Sequence, residues 1–234
     1  MAEPHCFGSL QVCALRVAKL NAAGSPVTGA SNGYVSDALV MAKVTTEIEE
    51  GDEFTLKNGC GSICQTFKDC DRVKRVTVEM ELCQLDSELL SLITNGSNIT
   101  KISSGDSIGY ELPEANDVCS NGVSLELWTK AWDGSAQATP VSVGAGGLTP
   151  AYWHWVMPSV KFQIGDLTLE NEILKVPVKG FGNANPRITA NGPFDDWPSD
   201  IVARGGITSS AGWFLDSVIP TATCGFINVP SAAS

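Results

Sequence analysis

The sequence predicts a mainly β fold with one short helix and long loops. Apolar and polar residues alternate with a period of two in several segments, a spacing that turns one face of a strand toward a core and the other toward water. A helical period appears in a single segment, residues 85–96. Glycine and proline, with 23 and 12 of the 234 residues, separate the patterned segments and are typical of turns and loops.

The clearest predicted strand covers residues 73–83. Its two faces consist of Val76, Val78, Met80 and Leu82 on one side and of Thr77, Glu79 and Glu81 on the other. Further predicted strands cover residues 123–128, 160–164 and 174–179, with weaker patterns at 10–20, 39–49 and 53–56. Pro177 lacks the backbone N–H that a sheet needs, so we expect its strand at an edge or at a bulge.

Residues 85–96 are predicted to form a short amphipathic helix. Its apolar residues follow the i, i+3, i+4 spacing: Leu89, Leu92 and Ile93. Asp86 is placed to cap the N-terminus, and Asn95 can take the positive φ that ends a helix. Because the joint with the preceding strand is short, we expect the helix to fold back over one end of the sheet.

Four long polar or glycine-rich stretches lie between these elements. They are residues 21–37, 51–71, 97–122 and 133–150. Connections longer than about 12–15 residues are uncommon in a compact monomer unless they are functional or disordered. We therefore expect these stretches to become ordered on a neighbouring subunit. The third could separate two domains, and a single sheet system closed by strands from both halves fits the pattern equally well.

The balance of charge argues against a protein that holds nucleic acid. The chain has 26 acidic and 15 basic residues and a net charge of −11, which disfavours an electrostatic grip on phosphates. No apolar run approaches the roughly 18–20 residues of a membrane helix. The first residues lack the basic start and apolar core of a signal peptide, so we expect no membrane association and reduced thiols in a cytoplasm.

The sequence contains no recognisable catalytic or cofactor-binding motif. Its two histidines are His5 and His154, and no Gly-x-Ser-x-Gly turn accompanies them to support a hydrolase triad. Nucleotide-binding glycine loops and the His-Glu-x-x-His zinc motif are also missing. We interpret His154, between Trp153 and Trp155, as a member of an aromatic cluster at a strand start. We expect no catalytic residue, no cofactor and no enzyme activity.

Two clusters have both a chemical and a structural interpretation. The first consists of Cys60, Cys64, Cys70 and Cys83, which could be free thiols, a disulfide or a zinc site. Their spacing does not match paired Cys-x-x-Cys knuckles, so no metal is predicted. The second is Asp195 and Asp196, which could form an acid pair. Their turn is rich in glycine and proline, which favours loop hydrogen bonding instead.

Six tryptophans are also compatible with a carbohydrate-binding β-sandwich. The residues that would offer flat faces to sugars are Trp128, Trp132, Trp153 and Trp155. Trp128 and Trp132 lie on the strand face opposite Leu127. Burial of this face against a second layer or a neighbouring subunit is the simpler interpretation.

Several patches share one resemblance. A strand runs into Leu-Cys-x-Leu-Asp-x-Glu-Leu-Leu at residues 82–90, and Trp-His-Trp-Val-Met-Pro at 153–158 precedes Phe-Gln-Ile-Gly-Asp at 162–166. Val-Pro-Val-Lys-Gly-Phe follows at 176–181 and Asn-Gly-Pro-Phe-Asp-Asp-Trp-Pro at 191–198. Over roughly residues 53–200, these patches together resemble the major tail proteins of long-tailed bacteriophages, especially those of actinobacterial hosts.

The resemblance implies a tail tube protein with a β-sandwich or barrel fold and a flanking helix. Such subunits form hexameric rings that stack into a hollow tube. About 24 strands, four from each of six copies, would give a wall roughly 37 Å across, wide enough for a duplex of about 20 Å. Double-stranded DNA would pass through this tube into the host without specific binding.

The resemblance also implies partners and a location. The partners are further copies of the chain and other tail proteins such as the tape measure, the tail terminator and the tail tip, with no membrane. The location is the virion tail, assembled in the cytoplasm of the infected bacterium. A single-ring tail completion or tail-end protein of the same fold is the alternative within this class, and a carbohydrate-binding module is the alternative outside it.

The tube interpretation assigns two groups of residues within one domain. The polar strand face supplies the channel-lining residues Thr77, Glu79 and Glu81, where acidic charge would repel DNA phosphates. The stretch at 51–71 is expected to reach the adjacent ring through Gly51, Asp52, Asn58, Gly59, Lys68 and Asp69. We expect an N-terminal arm over about residues 1–38 and a C-terminal extension over about residues 200–234.

Overall fold

The computed structural model describes residues 8–114, 122–132, 152–167, 175–221 and 224–231, and in this part the chain is mainly β, as expected. The strands of the first half are β1 (Gly8–Lys19), β2 (Gly29–Ser36), β3 (Leu39–Glu49), β4 (Glu53–Lys57), β5 (Ile63–Lys68), β6 (Arg72–Leu82), β7 (Ser97–Thr100) and β8 (Ser107–Glu111). Those of the second half are β9 (Val123–Trp132), β10 (Tyr152–Ile164), β11 (Val176–Gly182), β12 (Gly212–Asp216) and β13 (Gly225–Val229). The helices are α1 (Ser87–Thr94) and α2 (Ser199–Ala203).

One large antiparallel sheet organises the described residues. Its order is β13-β2-β1-β9-β10-β11-β6-β3, and β12 pairs with β10 beside this path. The long strand β10 joins two parts of the sheet: residues Tyr152 to Val156 pair with β12, and residues Val160 to Ile164 pair with β11. The register against β9 shifts between Met157 and Val160, at the change of neighbour.

The main core lies between the two parts of this sheet, with α1 at one end. β6 contributes Val78 and Leu82, and β9 contributes Leu125, all inaccessible to solvent. The helix adds Leu89 and Ile93 to the same cluster. Burial of apolar side chains at roughly 25 cal/mol per Å² supplies the main driving force for this arrangement.

A second layer covers the opposite face of β1, β9 and β10. It is built by the C-terminal residues from about 183 to 216, and its apolar cluster consists of Leu20, Val156, Ile188, Trp197, Ile207 and Phe214. Both faces of β9 are consequently buried. Leu127 points into the main core, and Trp128 points into the second layer at 1% exposure. Burial against a second layer of the same chain therefore explains Trp128.

The most regular sequence patterns are confirmed. The strand predicted at residues 73–83 is β6, and the patterns at 123–128, 160–164, 10–20, 39–49 and 53–56 fall on β9, β10, β1, β3 and β4. In α1, the side chain of Asp86 accepts hydrogen bonds from the N–H groups of Glu88 and Leu89, at 3.2 and 3.1 Å. Asn95 ends the helix with φ 60°.

The expectation for Pro177 is wrong. Its strand β11 is an interior strand between β10 and β6, and not an edge. Proline is tolerated there because Pro177 is not part of the hydrogen-bonded ladder with β10. The last pair of this ladder joins Ile164 to Val178, the residue after Pro177. The carbonyl of Pro177 accepts a hydrogen bond from Gly165 N at 2.8 Å, so the side of the residue that lacks an N–H faces the turn after β10.

Three of the stretches expected to be long loops contain strands. Residues 21–37 include β2, residues 51–71 form the pair β4 and β5, and residues 97–122 include the pair β7 and β8. The stretch 133–150 lies outside the described residues. These segments are paired within the chain itself, without a neighbouring subunit.

Both ends of the described chain are integrated into the sheet. Within the expected N-terminal arm, β1 pairs with β2 and β9. Within the expected C-terminal extension, β12 pairs with β10 and β13 pairs with β2. Strands from both halves of the sequence are combined in one sheet. None of the helices in the described segments has the length and apolar character required to span a membrane.

Candidate functional site

The β4–β5 hairpin has one apolar and one polar face. Phe54 pairs with Phe67, and Thr55 pairs with Thr66, in antiparallel register. Because side chains alternate between the faces of a strand, the large apolar residues share one side. The face that contains Phe54, Leu56, Ile63 and Phe67 also contains Gln65, which pairs with Leu56. The polar face includes Glu53, Thr55, Thr66 and Lys68, and Lys57 follows a register shift after Leu56.

The apolar face of this hairpin is open to solvent. The exposed fractions are 63% for Phe54, 64% for Leu56, 64% for Ile63 and 60% for Phe67. An isolated two-stranded hairpin is marginally stable in water, and exposed apolar patches typically mark surfaces that bind another protein. The hairpin therefore has the composition of a docking element.

A tight turn and a closed base fix the hairpin. At its tip, the Asn58 side chain accepts hydrogen bonds from the N–H groups of Cys60 and Ser62, at 3.0 and 2.9 Å. At its base, Asp69 N donates to Asp52 O at 2.9 Å, and Gly51 N donates to the Asp71 carboxylate at 3.0 Å. The local backbone is thus held by its own hydrogen bonds.

The residues expected to reach an adjacent ring lie at the two ends of this hairpin. Asn58 and Gly59 belong to its tip, while Gly51, Asp52, Lys68 and Asp69 surround its base. A Cβ at Gly51 would approach the Asp69 carbonyl oxygen to 2.2 Å, so the base requires glycine there. The sequence patterns identified the segment but missed its large apolar side chains, which β-strand alternation could have grouped.

The expected channel-lining residues share the polar face of β6. Val78 and Leu82 point into the core, and Thr77, Glu79 and Glu81 occupy the opposite side. Of these three, Glu79 and Glu81 are partly exposed, whereas Thr77 is buried at 7% exposure. Glu79 lies 3.0 Å from Lys179 Nζ and 3.6 Å from Lys43 Nζ. Glu81 lies 3.5 Å from Lys175 Nζ. Glu47 accepts hydrogen bonds from Arg75 at 2.7 Å and from Thr77 at 2.9 Å. The hydrogen bond from Lys179 lowers the pKa of Glu79.

This polar face differs from the acidic surface expected at these positions. Its glutamates alternate with lysine or arginine from β3, β6 and β11, so the charges are balanced locally. The pKa of Glu47 is lowered by its hydrogen bonds from Arg75 and Thr77. The result is a mixed-charge lattice over three strands.

Strand β3 ends the sheet. It pairs with β6 on one side, and none of the described strands continues the sheet beyond it. Val44 and Ile48 on this strand are 39% and 63% exposed. A long exposed edge strand presents unpaired N–H and C=O groups that can pair with another chain.

A buried ionic cluster connects the sheet to the second layer. Its members are Arg16, Glu126, His154, Asp196 and Asp216. Arg16 Nε lies 2.6 Å from Glu126 Oε2, and its two terminal nitrogens lie 2.5 and 2.9 Å from the Asp196 carboxylate. His154 lies between two carboxylates, with Nδ1 3.1 Å from Asp216 and Nε2 3.4 Å from Glu126.

The cluster shifts the pKa values of Glu126 and His154. Burial alone would raise the pKa of Glu126, but the Arg16 charge and the neighbouring His154 hold it at about 2. Burial alone would lower the pKa of His154, and its hydrogen bond to Asp216 together with the nearby Glu126 carboxylate raises it instead. The imidazole, placed between two carboxylates, therefore ties β10 to β9 and β12.

The centre of this cluster is enclosed, while the Asp196 side chain at its outer end is 48% exposed. Glu126 is 0% exposed and His154 is 1% exposed, with the imidazole stacked 4.0 Å from the Trp128 ring. The expected aromatic surroundings of His154 are confirmed. Asp196 is an ion-pair partner of Arg16, and Asp195 accepts a hydrogen bond from Asn191 at 2.5 Å, so the acid pair is divided between two structural contacts.

The remaining tryptophans and the cysteines have mixed surroundings. Trp155 packs 5.2 Å from the exposed Trp213, and its N–H donates to Thr129 at 3.0 Å. Cys60, Cys64, Cys70 and Cys83 are exposed free thiols. Across the described segments, no three His, Cys, Asp or Glu side chains are grouped to hold a metal ion. The side chain of Trp132 and residues Cys6 and Cys119 lie outside the described residues.

Comparison with known proteins gives no assignment. No protein-family model matches the chain, and no curated protein sequence matches it either.

Proposed function

We propose that this chain is a structural subunit of a bacteriophage tail tube, which assembles with further copies of itself into stacked hexameric rings. The observation that carries the proposal is the amphipathic β4–β5 hairpin, whose four large apolar side chains are 60–64% exposed. This surface gains free energy when another protein covers it, because burial removes the apolar area from water. The sequence resemblance to major tail proteins supports a second copy of the chain as that protein.

Lateral association uses the sheet. Four strand segments of each copy, β3, β6, β11 and the second half of β10, form one side of the fold. The free edge of β3 is the surface along which a neighbouring copy extends this sheet. Four segments per copy agree with the number that the resemblance implies for an inner barrel of about 24 strands.

The polar face of these strands lines the channel. Glu79 and Glu81 then face the DNA, and their lysine partners lie beside them. Thr77 is only 7% exposed and supports this face from below by donating a hydrogen bond to Glu47. A duplex near a lattice of paired charges meets neither a large positive field that would bind its phosphates nor a deep negative one. Balanced charge suits a tube through which DNA slides without being held.

Sedimentation velocity of the purified protein over a concentration series tests this function. We expect polymers far larger than the 24.7 kDa chain, growing with concentration because association follows mass action. Addition of a reductant should leave the polymers intact, since the contacts proposed here are non-covalent. A chain that stays at 24.7 kDa at every concentration would overturn the proposal and favour a monomeric binding module.

A further inference from the structure

We propose that the apolar face of the β4–β5 hairpin of one copy docks into a specific apolar groove, the α1 groove, on the next copy along the tube. This inference rests on the tail-tube function proposed above and names the surface that receives the hairpin. The groove has a volume of about 560 Å³ and lies between α1, β8 and the ends of β10 and β11. Its apolar lining includes Leu85, Leu90, Ile108, Tyr110, Leu112 and Leu167.

The groove is apolar and open. Leu90 lies at its floor and is 1% exposed, whereas its walls remain accessible. The exposed fractions of the wall residues are 59% for Leu85, 56% for Ile108, 64% for Leu112 and 45% for Leu167. Among the described residues, this groove and the hairpin face are thus two apolar surfaces that each lack a cover.

A chain cannot fill its own groove with its own hairpin. The hairpin leaves the sheet at Arg72, the first residue of β6, and the groove lies at the other end of this strand, where Leu82 pairs with Val176. The 11 residues of β6 extend over about 36 Å at roughly 3.3 Å per residue. The hairpin strands have five and six residues and span only about 20 Å at most, so the groove must be reached from a second copy.

Charge around the two surfaces is complementary. The exposed side chains of Glu111 and Glu114 follow Tyr110 at one side of the groove, and Asp166 precedes Leu167 at another. The exposed Lys175 precedes the lining residue Val176, and its charge is paired with Glu81 at 3.5 Å. Lys57 is exposed beside the hairpin tip. An acidic rim and a basic tip favour entry of the hairpin tip first and suppress the reverse orientation.

The contact has a consequence for assembly. The hairpin and the groove are different surfaces at opposite ends of β6, so the contact between two copies is heterologous. Two copies joined in this way still have one free hairpin and one free groove. Repetition of such a contact generates an open stack along the direction of β6. This direction is the tube axis in the proposed function.

A complementation experiment tests the contact. Phe67→Asp disables the hairpin face and Ile108→Asp disables the groove, and both side chains are exposed, so circular dichroism and Tm should match the wild type. Each variant alone should lose long polymers in sedimentation velocity. In an equimolar mixture, the intact hairpin of one variant should enter the intact groove of the other, which doubles the size of the sedimenting species without growth into polymers.

Other outcomes separate the contact from the function. The groove proposal would be overturned if Ile108→Asp formed polymers of normal length, or if the mixture sedimented as the sum of its two components. In either case, polymers of the wild type would still support the proposed tube function. Wild-type protein that remains monomeric would overturn both. Thr66→Asp on the polar face of the same hairpin is the matched control, and it should polymerise like the wild type.

Discussion

Arg16 and Glu126 face each other on the neighbouring strands β1 and β9 and form an ion pair that is closed to solvent, with 2.6 Å between Nε and Oε2. The same guanidinium reaches Asp196, and the same carboxylate accepts a hydrogen bond from the Trp197 indole N–H at 2.7 Å. Burial of two charges is costly unless all their hydrogen-bonding groups find partners. Here the additional partners, Asp196 and Trp197, belong to the second layer, so the ion pair joins the sheet to that layer.

Loss of Arg16 should destabilise the fold strongly. Arg16→Met leaves the buried Glu126 carboxylate without its cation, and removal of one partner of a buried pair costs about 3–5 kcal/mol. Urea unfolding of the monomer measures this change in free energy. Lys43→Met removes an exposed partner of Glu79 and serves as the control, with a much smaller expected effect. Equal stability of the two variants would contradict the structural role of the buried cluster.

His154 should stay protonated to a higher pH than an ordinary histidine. The hydrogen bond to Asp216 and the Glu126 carboxylate 3.4 Å from Nε2 raise its pKa above the usual 6.5. The folded state therefore binds this proton more tightly than the unfolded state does. The resulting stabilisation is complete below pH 6.5 and is lost as the pH rises through the raised pKa of the folded state.

NMR titration of the imidazole resonances measures this pKa directly. His154→Phe keeps a ring against Trp128 and Phe214 and removes the titrating group. The free-energy advantage of the wild type over this variant should shrink with rising pH above 6.5. A titration midpoint below 6.5 would contradict the arrangement of the two carboxylates around the ring.

Substitution of the hairpin phenylalanines should affect assembly and leave the monomer stable. Phe54 is 63% exposed, so Phe54→Ala should change the free energy of unfolding by no more than about 0.5 kcal/mol. Phe162 is 1% exposed in the main core, so Phe162→Ala should cost about 3–5 kcal/mol. Urea unfolding compares the two variants, and sedimentation velocity should show that Phe54→Ala weakens polymer formation.

The matched substitution for assembly lies one residue away. Thr55→Ala changes the polar face of the same strand and should leave polymer length unchanged. If Phe54→Ala and Thr55→Ala assembled equally well, the apolar face of the hairpin would have no role in the contact between copies.

Reversal of charge on the polar face of β6 should convert a passive channel into a DNA-binding one. Glu79→Lys combined with Glu81→Lys removes the acidic partners of Lys179 and Lys175 and leaves a positive surface. Tubes of this variant should retain double-stranded DNA at low salt and release it as salt increases. Because DNA inside a tube is shielded, part of it should survive nuclease treatment.

A control variant with the reversed charge outside the proposed channel should not protect DNA from nuclease. Asp200→Lys adds positive charge on α2 in the second layer, and DNA bound there should remain sensitive to nuclease. Retained DNA that is digested equally in both variants would place Glu79 and Glu81 outside the channel.

Local sequence patterns were sufficient to predict the strands and the helix that follow a regular residue spacing. β6 alternates strictly from Val76 to Leu82, and α1 has both a cap at Asp86 and a left-handed end at Asn95. Strand β2 begins Gly-Ala-Ser-Asn-Gly and has no such pattern, and its Gly33 is required by packing. A Cβ at Gly33 would approach the Phe194 ring to 2.8 Å, so a contact 161 residues away in sequence selects the glycine.

The buried ionic cluster could not be predicted because its residues are distant in sequence. Arg16 and Glu126 are separated by 110 residues, and His154 and Asp216 by 62. One local signal was present: Glu126 stands between Leu125 and Leu127, in a strand that also carries Trp128 on the acidic residue's face. A charged residue within a strand that is apolar on both faces indicates a buried partner.

Electron microscopy of the purified protein over a concentration series tests the tail-tube account most directly. The account predicts hollow tubes of stacked six-fold rings, with a channel wide enough for a duplex of about 20 Å and the polar face of β6 at its inner wall. Monomers at all concentrations, or solid fibres without a channel, would contradict it.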